Sequence, residues 1–196
     1  MKTKSLGFIG GGRITYIFLR AFVNKKAIFG SISVFDINTE ILAALKFKFP
    51  FVQVMKSIEE CARKDVVFLA LYPHVIMRTL QQIKDVVTEQ TILISLTAKI
   101  TIEQISSVVK CQQIVRILPT AISFINQGYN PVTFKQTMSG FQKWSVLEML
   151  NFLGHAFETS QEKLEGYAVI SSMLPTYFWF QWHEVEMIGT QFVRMS

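Results

Sequence analysis

The amino-acid sequence predicts an α/β fold, a doubly wound and mostly parallel sheet followed by a C-terminal helical region. Three observations carry this reading. Short, nearly continuous apolar runs alternate with segments of helical periodicity from residue 6 to residue 118. A glycine cluster stands where the first run gives way to the first helix. The alternation changes after Pro119, and the pattern from residue 161 onward is helical alone. Strict β–α succession favours parallel strands joined by right-handed crossovers, and runs without polar alternation suit strands covered on both faces.

The elements follow in order. Leu6-Gly7-Phe8-Ile9-Gly10 is the first strand, ending in glycine, and Ile14, Ile17, Phe18, Ala21 and Phe22 set a helix over 14–23 by their spacing. A strand over 31–36 precedes a helix over 39–48, which Pro50 stops. Residues 52–54 make a short third strand, and Ser57 caps a helix reaching residue 62. Residues 65–71, apolar except for Asp65, form a fourth strand. A helix over 74–87, a strand over 91–96, a helix over 101–109 and a strand over 114–118 continue the series. Beyond them come a strand at 131–134, a helix over 139–153 and a strand at 155–158 that ends the sheet. The helical pattern from 161 to 194 breaks near 171–175, because Pro175 is tolerated in the first turn of a new helix and kinks the interior of an old one. This divides the chain into an α/β domain over 1–160 and a helical segment over 161–196.

Composition narrows the classes of function. Of 196 residues, 50% are hydrophobic and 17% charged, which excludes a disordered tail and fits one domain, or one with part of a second. The longest uncharged stretches, 117–134 and 166–182, carry prolines and polar side chains and are poor spanning helices. Met1-Lys2-Thr3-Lys4 leads straight into the first strand, which reads as a cytoplasmic start. Cys61 and Cys111 lie far apart with no companion at metal or redox spacing, so both are expected as reduced structural thiols. The net charge of +6 is spread over short pairs such as Lys25-Lys26, which describes a solvated basic surface, welcoming to a small anionic ligand, more than a nucleic-acid face.

Gly10-Gly11-Gly12-Arg13-Ile14-Thr15 follows a strand and opens a helix, the setting of a dinucleotide turn, and makes the expected fold Rossmann-like. The first glycine allows the tight bend, and the second lets backbone approach a diphosphate held by amide groups at the positive end of the helix. Thr15 stands where a third small residue is usual and is expected to loosen the helix-to-strand contact, with Arg13 adding charge beside the phosphates. Asp36 ends the second strand, 24 residues after Gly12, near the spacing of about 20 at which an acid meets the adenosine ribose. The alternative makes Asp36 a helix N-cap or turn residue. Ile37 and Asn38 bring no cation for a 2′-phosphate, which favours NAD over NADP unless Arg13 reaches across the turn.

With these residues in hand, the chain resembles the pyrroline-5-carboxylate reductases and their C-terminally helical oxidoreductase relatives. Gly7-Phe8-Ile9-Gly10-Gly11-Gly12 is similar to the family's glycine turn, and Asp65 to Pro73 to its fourth strand. Leu93 to Glu103 and Ile114 to Thr120 resemble the next two strands with their helix starts. The resemblance implies that Gly10, Gly11, Gly12, Arg13, Ile14, Asp36, Ala70, Leu71, Pro73, Thr97 and Ala98 hold the cofactor, and that hydride passes to a cyclic imine or a related small substrate. The resemblance also implies that the C-terminal helical region is a truncated one, and two segments depart from the family. Its Pro-Asn-Thr-Pro reads Pro119-Thr120-Ala121-Ile122 here, and its Ser-Gly-Ser/Thr-Gly-Pro-Ala-Tyr loop reads Ser171-Ser172-Met173-Leu174-Pro175-Thr176-Tyr177. Met173 takes the place of a hydroxyl, and Ser172 and Leu174 add side chains where glycine lets a ligand approach backbone.

Reduction of an imine asks little proton chemistry of the protein, because the cofactor carries the hydride and positioning does the rest. Thr120, Ser171 and Ser172 are therefore the catalytic candidates, with Thr97 beside the nicotinamide and Tyr177 farther along the helix; each hydroxyl serves equally well as a helix cap or backbone partner. His183 lacks a second histidine one turn away, so no metal is expected. His74 is expected near the cofactor edge or at the surface, and His155 in a structural place. Tyr177, Phe178, Trp179, Phe180 and Trp182 crowd two turns, more ring surface than one domain can cover from one side, which points to a homodimer through this helix or to a helix folded back on its own domain. Two readings of function follow: an NAD(P)-dependent oxidoreductase of this family, or a non-catalytic NAD(P)-binding, regulatory paralogue that has lost the substrate loop.

Overall fold

The structure, a computed structural model, describes residues 3–193, without the side chains of 172, 173 and 193. Expectations for Met1, Lys2, Arg194 and the side chains of Ser172 and Met173 lie outside the described residues. The chain runs β1 (Ser5–Ile9), α1 (Arg13–Asn24), β2 (Ser31–Phe35), α2 (Thr39–Lys48), β3 (Gln53–Val54), α3 (Ile58–Ala62), β4 (Val66–Leu69), α4 (Pro73–Ile83), β5 (Ile92–Ser95), α5 (Ile102–Ser106) and β6 (Gln113–Ile117). It continues through β7 (Gly128–Phe134), α6 (Gly140–Leu150), β8 (Gly154–Glu158), α7 (Gln161–Ala168) and α8 (Trp179–Ile188). The strands form one sheet in the order β3-β2-β1-β4-β5-β6-β7-β8.

The expected α/β doubly wound, mostly parallel, Rossmann-like sheet is what forms. Neighbouring strands from β3 across to β6 are parallel, β7 runs antiparallel to β6, and β8 lies parallel to β7. The reversal at β7 has a simple cause. Only residues 118–127 link β6 to β7, around a 3-10 turn at Ala121–Ile125, and a parallel return needs a longer crossover. Pro131 sits inside β7, one residue past the last pairing with β6 at Val132↔Ile117.

The continuous apolar runs fill two layers. Leu6, Phe8, Val66, Phe68, Ile92 and Ile94 face α1, α2 and α6, while Ile9, Val67, Leu69 and Leu93 face α3, α4 and α5. Phe8 and Phe68 stack at 4.3 Å on adjacent strands, and Phe18 of α1 meets Phe68 edge-on at 5.2 Å. On the opposite layer, α3 lies directly on β1, and a Cβ at Gly7 would overlap the Cys61 carbonyl oxygen. Cys61 and Cys111 are buried free thiols.

Several helices are shorter than the periodicity predicts. The fifth ends at Ser106 instead of 109, and the fourth at Ile83 instead of 87. In both cases the extra apolar residues, Val109 and Val87, pack from the following loop and so mimic a helical stripe. The helix expected over 139–153 closes as a 3-10 turn at Asn151–Leu153. The break near 171–175 is a π turn at Val169–Met173 followed by a 3-10 turn at Leu174–Tyr177. Among the described residues no helix is long and apolar enough to cross a membrane.

Burial pushes the Cys61 thiol up to about 12 and raises that of Cys111 as well. Both thiols should therefore resist a disulfide reagent at pH 8 in the native chain and react fully after denaturation, as read by thiol titration. Stability should fall as pH climbs above the ordinary thiol range, because the unfolded chain then ionises Cys61 and the folded chain does not. Replacing Gly7 by Ala forces α3 off β1 and should cost about 2–3 kcal/mol in urea unfolding.

Candidate functional site

The sheet has its topological switch between β1 and β4, where successive strands depart to opposite sides, and a crevice opens there beyond the carboxyl ends of the strands. Gly10 turns the chain from β1 toward α1 with φ +103°, and its N–H donates to the Phe35 carbonyl at 2.8 Å. A Cβ on Gly10 would overlap the Ala70 carbonyl oxygen, so the bend both needs a positive φ and has no room for a side chain. Gly11 donates its N–H to Asp36 Oδ2 at 2.7 Å. Gly12 is the N-cap of α1; no side chain caps the helix, and a Cβ there would meet nothing within 4 Å. Exposed Arg13 is the first residue of the helix and half-buried Ile14 the second. The opening amides of a helix lack intrahelical acceptors, so an uncapped start facing open space is suited to an anion.

Thr15 does the opposite of what its size suggests. It is buried, and its hydroxyl donates to the Gly10 carbonyl at 2.6 Å, which ties helix to turn instead of loosening them. Asp36 serves the turn as well as facing the crevice. Its Oδ1 accepts the Asn38 N–H at 2.8 Å, while Asn38 itself caps α2 through Glu40 and Ile41. Each Asp36 oxygen holds one amide and keeps a further lone pair for a hydroxyl.

Two clefts flank the turn. One, of about 340 Å³, is bordered by Gly10, Asp36, Ile37, Leu71, Val75 and Arg78. The other, of about 260 Å³, runs along Gly11, Gly12, Arg13, Tyr16 and Lys48, whose Nζ lies 4.8 Å from the Tyr16 ring centre. Arg78 and Lys48 are site cations that sequence reasoning missed. A signal existed for Arg78: Val75, Arg78, Thr79 and Gln82 follow helical spacing along the cleft side of α4. Among the described residues Arg78 pairs with no carboxylate.

Beyond the switch, hydrogen bonds chain the next strand ends together. Ala70 N–H donates to the Ile9 carbonyl at 2.8 Å, and Thr97 Oγ1 donates to the Leu71 carbonyl at 2.9 Å. Pro73 begins α4, with exposed Tyr72 before it stacked on His74 at 6.0 Å. Half-buried Ala98 follows Thr97 on the loop into α5. Thr120 is buried at the end of β6; its N–H donates to Asn130 Oδ1 at 3.3 Å, and Ser123 Oγ donates to the same oxygen at 3.0 Å. Thr120 Oγ1 and Asn130 Nδ2 are left as buried polar atoms without partners among the described residues. Gly128 makes this cell possible, since a Cβ there would overlap Ser123 Oγ.

The structure brings Gly10, Gly11, Asp36, Ala70, Leu71 and Thr97 together through these bonds and the shared cleft. Ser171 makes no hydrogen bond to that set among the described residues: its hydroxyl donates from the π turn back to the Tyr167 carbonyl of α7 at 2.7 Å. The backbone of Ser172 lies in the same π turn. Tyr177 is exposed, and exposed His183 lies 3.7 Å from Glu186. Among the described residues no three metal-ligating side chains cluster.

Comparison with known proteins extends this picture. Residues 5–99 match a family model described as NADP oxidoreductase coenzyme F420-dependent. The pyrroline-5-carboxylate reductase of Escherichia coli strain K12 is 23% identical over 177 residues, which cover 89% of this chain and 65% of the relative. A solved pyrroline-5-carboxylate reductase from Coxiella burnetii superposes with a TM-score of 0.85 at 23% identity, covering 98% of this chain and 72% of that one. The Plasmodium falciparum pyrroline carboxylate reductase, solved with NADP bound, gives 0.82 at 21% identity over 97% and 71%. The present chain thus spans about 65% of the length of the first curated relatives it matches.

The two glycines of the bend separate shape from recognition. Gly10→Ala should lower the urea-unfolding free energy by about 2–3 kcal/mol through strain and overlap. Gly12→Ala, which meets open space at φ −70°, should stay within about 0.5 kcal/mol of the parent in the same measurement.

Proposed function

We propose, on the premise that this chain is a divergent relative of the pyrroline-5-carboxylate reductases, that it binds a nicotinamide dinucleotide across the Gly10–Gly12 turn and reduces a cyclic imine or a related small substrate. The observation that carries the reading is the uncapped start of α1 facing open space at Gly12, with Asp36 fixed beside it through Gly11. The diphosphate lies on the amides of Gly12, Arg13 and Ile14, with the Arg13 and Lys48 cations alongside. The adenosine ribose meets Asp36, and the adenine enters the cleft between Ile37 and the Val75–Arg78 side of α4. Ala70, Leu71, Pro73, Thr97 and Ala98 line the nicotinamide half.

Once bound, the nicotinamide supplies the hydride. The protein's part is to hold substrate and ring in register and to exclude water. Thr120 is the foremost substrate hydroxyl on the strength of the resemblance, and its Oγ1 is buried beside Asn130 without a partner among the described residues. Ser171, although its proton is committed to the Tyr167 carbonyl, retains acceptor capacity, and Ser172 completes the proposed set. NAD is favoured over NADP because the Asp36 carboxylate repels a 2′-phosphate at the same place; Arg78 in the same cleft opposes that preference.

The helical segment from residue 161 is proposed to serve dimerisation and substrate contact. Helix α8 buries no side chain, and Trp179, Phe180, Trp182 and Phe192 are exposed, which supports a second copy of the chain as their cover. The departure of residues 171–177 from the reductase loop favours a second reading, a non-catalytic NAD(P)-binding paralogue with a regulatory role.

Calorimetric titration with NADH and NADPH tests the shared core of both readings. Saturable binding, tighter for NADH and weakened at least about tenfold by Gly12→Ala, is expected; no heat from either cofactor at millimolar concentration would refute it. Turnover of pyrroline-5-carboxylate with NADH then separates enzyme from binder. Light scattering should give twice the chain mass, and Trp182→Glu should shift it toward the monomer; a monomeric parent at micromolar concentration contradicts the dimer.

A further inference from the structure

Arg116, on the interior strand β6, is 1% exposed. A guanidinium taken out of water in this way requires an acid and further acceptors. Both come from α7. Arg116 Nη2 donates to Glu165 Oε1 at 2.7 Å, and Nη1 donates to Gln161 Oε1 at 3.3 Å. The same Nη2 makes a longer contact, 3.4 Å, with the Thr97 carbonyl oxygen. Glu165 Oε1 also accepts the backbone N–H of Lys99 at 2.9 Å. Lys99 has φ +67°, a left-handed conformation that a lysine holds only when its surroundings fix it. Gln161 extends the tie into α5, accepting the Ile102 N–H at 2.9 Å and donating to Glu103 Oε2 at 3.0 Å.

One carboxylate therefore joins three things: the buried charge of the sheet, the strained residue of the β5–α5 loop, and the first helix of the C-terminal segment. The loop it holds begins with Thr97 after β5, two strands from β1 on the side away from β2 and Asp36, and the Thr97 hydroxyl donates to the Leu71 carbonyl just beyond β4. We infer that the Arg116–Glu165 pair is a positioning device through which α7 sets the 97–101 loop and, by it, the nicotinamide half of a bound dinucleotide. This inference rests on the cofactor reading above. The adenosine half is held at Asp36 and Arg78, neither of which bonds to Arg116, Glu165 or the 97–101 loop among the described residues.

The test compares NADH with ADP-ribose, which lacks the nicotinamide. Glu165→Ala should weaken NADH about tenfold and leave ADP-ribose within about twofold. The double variant Arg116→Met with Glu165→Leu removes both charges, keeps the core filled and should show the same selective loss at an unchanged unfolding midpoint. Amide hydrogen exchange without ligand should be about tenfold faster at Lys99 in both variants. Parallel losses for the two ligands, or unchanged exchange at Lys99, would overturn the positioning role. A parent chain that binds neither ligand would overturn the cofactor reading instead, and exchange at Lys99 would then judge the clamp alone.

Discussion

The first turn of α1 has no side chain to satisfy it, and the arrangement around the switch point follows from that. A helix that begins directly after a central parallel strand aims its unpaired amides and the positive end of its dipole into the crevice above the sheet. Three glycines make this possible in different ways. Gly10 supplies the left-handed bend under the Ala70 carbonyl, Gly11 hands its amide to Asp36, and Gly12 leaves the space before the helix empty. Thr15 then locks helix to bend through the Gly10 carbonyl. A polar site is thereby held rigid by backbone and one carboxylate, with little dependence on flexible side chains.

Much of this was legible in the chain. The strand–glycine–helix succession and the apolar runs of β4 and β5 specify a parallel sheet because both faces of each strand must be covered, and Asp36 stands where the end of β2 meets the bend. What was hidden depends on contacts distant in sequence. Arg78 belongs to the cleft because α4 packs beside β1 and turns one side of its surface toward Asp36. Arg116 reads as one polar residue in a strand, and its partners Gln161 and Glu165 look like solvated helix residues until α7 lies against β7 with Leu164 buried beneath it. The direction of β7 was hidden too, since it is set by the short path through Ala121–Ile125 and not by any property of the strand itself. Thr15 reads by its size as loosening the bend, and its hydroxyl reverses this by bonding the Gly10 carbonyl.

The C-terminal helices combine two kinds of attachment. Helix α7 is fixed to the sheet by a buried apolar side chain, Leu164, and by ionic and amide bonds to Arg116, Lys99 and Ile102. Helix α8, after the π and 3-10 turns, contributes aromatic surface and has no buried residue among the described ones. The first attachment links the segment to the strand ends of the crevice, and the second leaves a face whose coverage comes from outside the single chain in the reading favoured above.

The most direct trial of the account is a crystal structure of the chain grown with NADH. Diphosphate oxygens about 2.9 Å from the amides that open α1, with the adenosine ribose hydroxyls on Asp36, are the predicted result. A dinucleotide seated elsewhere, with Asp36 bonded only to Gly11 and Asn38 and the space before Gly12 filled by solvent, would contradict it.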